Sequence, residues 1–143
     1  VLALLPQHLI LSDAWARCVM VLCNLHFLAA KSRTCGYGAV LRDLREASEG
    51  LRFETTRFPD LISWQQMYTA NAEQIDEYLS LWEENGDALL ADPACLFQLA
   101  LAEDAPDMCK QDAEHKVSLL ADAAKEISLL EKQPIEDAEG AIR

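Results

Sequence analysis

Cys23 and His26 stand at metal-ligand spacing, Cys23-x-x-His26, with Cys18 and Cys35 close by in the chain. A closed tetrahedral metal site needs four ligands. On a helix Cys23 and His26 would share a face, but Cys18 sits five residues back and about 140° around it. Cys35 would have to fold back from a glycine-bearing turn, and a fourth ligand is missing. These residues read as small buried cysteines on an apolar helix, and no metal is expected. A carboxylate-bridged di-iron site requires a Glu-x-x-His pair on each of two helices. Here a single Asp112-x-x-His115 comes nearest. The acidic run Glu103, Asp104, Asp107 and Asp112 lacks the loop spacing and glycine of a calcium site. It reads as a solvated face whose first members suit a helix N-terminus.

Phosphate and acyl chemistry find as little support. Neither G-x-x-x-x-G-K-[ST] nor G-x-G-x-x-G occurs. Gly36-x-Gly38 ahead of a helix, with Lys31 and Arg33 nearby, could hold an anion on free backbone N–H groups, which makes Arg33 a candidate anion-binding residue. Arg57, between Thr56 and Phe58, is the other candidate. With histidines only at positions 8, 26 and 115 and no G-x-S-x-G elbow, no Ser/His/Asp or Cys/His set can be assembled. No catalytic residue and no cofactor are expected, and a non-catalytic role is favoured over an enzymatic one.

Charge is distributed unevenly. Residues 1–58 carry seven Lys/Arg against five Asp/Glu, whereas residues 59–143 carry five against nineteen, and the whole chain is −12. Nucleic-acid and anionic-membrane binding run on clustered Lys/Arg, so neither is an expected partner. A protein partner, for which the acidic charge suits one of basic character, or a homo-oligomer is expected instead. Residues 14–30 (AWARCVMVLCNLHFLAA) are apolar but interrupted by Arg17, Asn24 and His26. They are shorter than the roughly twenty apolar residues a membrane span needs. Five cysteines, an odd number without scaffold spacing, point to reduced thiols inside the cell, in the cytoplasm first and an organelle lumen as the alternative. The opening at Val1, without methionine or a basic stretch, leads us to expect a processed or partial chain with no signal segment attached.

The elements that would carry these residues are helical. Ser12-Asp13 is a plausible cap for a helix to about Lys31, and its all-round apolar surface marks it as central or interfacial. Residues 32–38 form a turn, and a short helix follows from Ala39 to Gly50, with Arg42/Glu46 and Arg45/Glu49 able to pair along it. LRFETTRF (51–58), rich in Thr and Phe and closed by Pro59, is expected to be an extended connector. From Asp60 to Glu84 the spacing of Trp64, Met67/Tyr68, Asn71, Ile75, Tyr78/Leu79 and Trp82 predicts a helix that Asn85-Gly86 ends. Asn71 lies on its apolar stripe and could fix register or an oligomer contact. Asp92-Pro93 restarts a helix, and Pro106 opens the last one. There Ala113, Val117, Leu120, Ala124, Ile127 and Leu130 keep a near-heptad seam, and Pro134 is expected to end it.

One stretch carries a family resemblance. Gly50-Leu51, Thr56-Arg57 and Trp64-QQMYTA-Asn71, followed by Ile75 and Leu79, resemble the helical C-terminal domain of the prephenate dehydrogenase family over about thirty-three residues. The resemblance implies a dimerising domain in which Arg57 contacts substrate. The spacings differ from the family's, and its nucleotide-binding domain has no counterpart here.

The reading as a whole is an all-α bundle of about five helices with short connections. Residues 1–132 make one domain and 133–143 an acidic C-terminal tail. Trp15, Val19, Leu22, Phe27, Trp64, Asn71, Ile75 and Trp82 are expected in the core or an interface. A non-catalytic subunit or protein–protein interaction module is the leading function. A detached dehydrogenase dimerisation domain and a helical binder of an apolar ligand are the alternatives.

Overall fold

Asn24 decides how the apolar N-terminal stretch folds. Its backbone is extended, and its Oδ1 accepts from the amides of His26 at 3.0 Å and Phe27 at 3.5 Å, a side-chain cap that starts a new helix. The single helix expected to Lys31 is therefore two, α1 (Trp15–Leu22) and α2 (Leu25–Cys35). The computed structural model describes residues 5–6, 14–57 and 60–142, so the Ser12-Asp13 cap lies outside the described residues.

Gly36 then turns at φ 93°, a conformation open to glycine, into α3 (Tyr37–Arg57). The extended connector expected at 51–58 is instead helix through Arg57. Leu51 and Glu54 are buried on one helical face, and the hydroxyls of Thr55 and Thr56 donate to the carbonyls of Arg52 and Phe53. Packing on that face overrides the strand propensity of Thr and Phe. Phe58 and Pro59 lie outside the described residues.

The remaining elements are α4 (Ile62–Glu84), α5 (Gly86–Ala91), a 3₁₀ turn at Pro93–Cys95, α6 (Leu96–Ala100) and α7 (Asp107–Ile142). The breaks at Asn85-Gly86, Asp92-Pro93 and Pro106 fall where the sequence puts them, with Asp92 Oδ1 accepting from the amide of Ala94 at 3.0 Å. Helical backbone continues past Pro134, because a proline removes one hydrogen bond and bends a helix without obliging it to stop. The fold is all-α, with seven helices in place of about five and no strand among the described residues.

α3 and α4 form the scaffold. Tyr37 meets Trp82, Arg45 meets Glu83 and Arg52 meets Asp76, so the two helices run antiparallel as a hairpin. Arg45 thus pairs across the hairpin and not with Glu49 along its own helix. α1 and α2 lie across this hairpin, and the first turns of α7 pack on α4, α2 and α6. Leu22, Leu25, Leu28, Leu44, Leu51, Ile75, Leu81, Trp82, Leu89 and Leu96 make the centre of one hydrophobic core. Two features show how tightly α1 and α2 are seated. A Cβ at Gly50 would lie 2.3 Å from Trp15 Cη2, so the indole rests directly on α3 where glycine leaves room. Lys31 of α2 and Asp43 of α3 form an ion pair that is fully buried. No described helix is long and apolar enough to cross a membrane.

Candidate interaction surface

α7 has two unlike halves. Its base is clasped: Asp112 Oδ2 accepts from the amide of Leu25 at 3.0 Å and from the Tyr78 hydroxyl at 3.0 Å, while Lys116 Nζ donates to Asp112 Oδ1 and, at 2.9 Å, to Asn24 Oδ1. The carboxylate thus satisfies a first-turn amide of α2, and the lysine ties the same α2 cap to α7. Burial, then the charge and hydrogen bond of Asp112, push the Tyr78 phenol well above its ordinary range, so it stays a donor here. Cys109 and Ala113 complete the anchorage in the core.

Beyond Lys116 the helix leaves the body. Every side chain from Val117 to Glu131 is exposed, including Val117, Leu119, Leu120, Ile127, Leu129 and Leu130. At 100° per residue, Val117, Leu119, Leu120, Ala121, Ala123, Ala124, Ile127 and Leu130 fall within an arc of about 200°. Ser118, Asp122, Lys125, Glu126 and the exposed Leu129 occupy the opposite side, while Ser128 and Glu131 fall within the arc. A helix with an apolar stripe of that width ordinarily faces a core. Among the described residues nothing covers this one.

The residues singled out from sequence scatter. Trp15, Val19, Leu22, Ile75 and Trp82 are in the core, and Phe27 packs against it half-buried. Asn71 is half-buried, and Trp64 is 48% exposed beside Tyr68, near Phe53, Leu61, Ile62 and Met67 in sequence around the α3–α4 turn. Arg57 is exposed at the end of α3 and bonds Glu54 at 3.3 Å. Arg33 is exposed in the last turn of α2 and lines a shallow groove with His26, Pro93 and Phe97. The length of α3, about 30 Å for its twenty-one residues, separates the two arginines, so they do not make one anion site. Cys23 ends α1 while His26 opens α2 and turns its ring onto Phe97 at 5.3 Å, and among the described residues no three metal-ligating side chains converge. The near-heptad seam marked the outward half of α7, but a seam of under three heptads does not say by itself whether it is covered. The Asp112 clasp had no sequence signal, since its partners lie 87, 34 and 4 residues away.

Compared with known proteins, the chain matches no family model, and neither a curated protein nor a solved structure is significantly similar to it.

Proposed function

We propose that this chain is a non-catalytic helical interaction module that docks through the outward half of α7. The observation that carries the reading is the uncovered apolar arc from Val117 to Leu130 on a helix whose base is fixed to the core by Asp112 and Lys116. Monomeric proteins rarely leave so long an apolar face in water. The apolar segment 14–30, the first interface candidate from sequence, supports the same reading by default, because α1 and α2 spend it on the core. Five free cysteines fit a reducing, intracellular setting for such a module.

The test is absolute mass by light scattering across concentration and salt, with circular dichroism, on the natural chain and on Leu120→Asp/Ile127→Asp. The natural chain is expected to self-associate at high salt, where its −12 charge is screened, and the double variant to stay monomeric with unchanged helicity. Identical monomeric behaviour of both, with equal binding of an apolar dye, would remove the reading.

A further inference from the structure

We infer that the base of α7 is a strap over the α1–α2 junction, and that strap and junction open and close as one unit while the α3–α4 hairpin stays shut. The inference stands whether or not the outward half of α7 is covered. Among the described residues, the hydrogen bonds that join α7 to other helices all end on the side chains of Asp112 or Lys116. One carboxylate oxygen, Asp112 Oδ2, takes the Leu25 amide of α2 and the Tyr78 hydroxyl of α4, and so joins three helices. The apolar seat beside it is slight. Cys109 and Ala113, which are fully buried, are small, and Met108 is half-buried. Small side chains remove little apolar surface from water, so the polar contacts carry a large share of the attachment.

The same atoms complete the start of α2. Its first three amides have no partner within the helix. Leu25 donates to Asp112, while His26 and Phe27 donate to Asn24 Oδ1, which also accepts from Lys116 Nζ at 2.9 Å. Lys116 closes the network by donating to Asp112 Oδ1. Unseating α7 therefore strips one first-turn amide of its acceptor and takes the cation away from the cap that holds the other two. Loss of the cap, in turn, removes a partner of Lys116. α1 and α2, with eight and eleven residues, are too short to hold this turn by themselves. The far end of α2 is fixed separately by the buried Lys31–Asp43 pair. The hairpin is fixed by Tyr37–Trp82, Arg45–Glu83 and Arg52–Asp76, none of which involves α7. The unit that opens is thus Cys23 to Phe27 together with Met108 to Lys116.

The experiment follows backbone amide exchange and cysteine labelling, residue by residue, on the full chain under native conditions. In the natural chain the Leu25, His26 and Phe27 amides and the Cys109 thiol are expected to share one opening constant, larger than that of Leu44 and Ile75 in the hairpin. Asp112→Ala should raise it at all four by at least about ten-fold and leave Leu44 and Ile75 unchanged. Asn24→Ala, at the other end of the network, should by reciprocity expose Cys109 as well. The double variant should show less than the two separate effects combined. Labelling of Cys109 that Asn24→Ala does not move would overturn the coupling. Equal acceleration at Leu44 and Ile75 would mean that the whole fold opens, and would overturn the strap. The natural chain decides even where Asp112→Ala does not fold: unequal opening of Leu25 and Cys109 would overturn the inference.

Discussion

Tyr37 and Trp82 hold each other at both ends. The tyrosine hydroxyl donates to the Trp82 carbonyl at 3.0 Å, the indole Nε1 donates to the Tyr37 carbonyl at 3.1 Å, and the rings stack 5.7 Å apart at 10°. The start of α3 is thereby locked to the end of α4. Losing the phenol alone in Tyr37→Phe should cost about 1 kcal/mol. Trp82→Phe removes a donor and leaves a void in a fully buried position, and should cost about 3 kcal/mol. Urea titration of both variants checks the order, and a Tyr37→Phe loss as large as that of Trp82→Phe would contradict it.

The Lys31–Asp43 pair has both side chains removed from water. Asp43 Oδ1 has no hydrogen-bond partner among the described residues, so the carboxylate depends on the ammonium for charge balance. Lys31→Met should therefore destabilise by about 3–5 kcal/mol, because it leaves Asp43 buried and unpaired. Adding Asp43→Leu should restore much of that loss, since two apolar side chains of similar volume carry no desolvation penalty. A double variant no more stable than Lys31→Met would show that the pair's geometry, and not its charge, matters.

Gly50 sits inside a helix where alanine has the better propensity by about 1 kcal/mol. Trp15 reverses the expected sign, because its ring atom lies 2.3 Å from where the new Cβ would go. Overpacking of this kind costs about 1–3 kcal/mol, so Gly50→Ala should lower stability despite its helical preference. A gain in the melting temperature would mean the indole swings aside at no cost.

Burial, assisted by Asp43, pushes the Cys18 thiol up to about 11 from an ordinary 9.0. Burial also takes Cys23 and Cys109 up to about 12, Cys23 helped by Cys18 and then by the Asp112 and Glu77 carboxylates, and Cys109 by Glu77, Cys23 and Asp112. Above pH 9 the unfolded thiols ionise while the folded ones keep their protons, so the unfolded state binds fewer protons. Stability should hold from about pH 7 to 8.5 and fall from there toward about pH 11–12. Melting temperatures across that window test the sign. A rise between about pH 9 and 10.5 would refute it. In the folded chain a thiol reagent should reach exposed Cys35 first, and buried Cys18 and Cys109 last.

Much of this fold was legible. The stops at Asn85-Gly86, Asp92-Pro93 and Pro106 each rest on a local backbone preference, and local preferences are what a sequence displays. The failures share a cause. In residues 14–31 nearly every position is apolar, so there is no periodicity for a break to interrupt, and the cap at Asn24 depends on one side chain turning back on its own backbone. In LRFETTRF, strand propensity lost to the burial of Leu51 and Glu54 on one face, which depends on α3 having neighbours there. Lys31 and Asp43 belong to different helices and carry no local sign of meeting. At the surface, the seam of α7 was visible as spacing, while its exposure beyond Lys116 depends on where the body of the protein ends.

The break at Asn24 also bears on how the chain reaches this fold. It leaves α1 with eight residues and α2 with eleven, both shorter than the roughly 12–15 residues an isolated helix needs to persist in water. α3 and α4, with twenty-one and twenty-three residues and a short connection, can form from local contacts alone. The N-terminal helices are then late arrivals that take shape on a hairpin already standing, although a ribosome would deliver them first. Until that hairpin emerges, the most apolar stretch of the chain must wait unfolded.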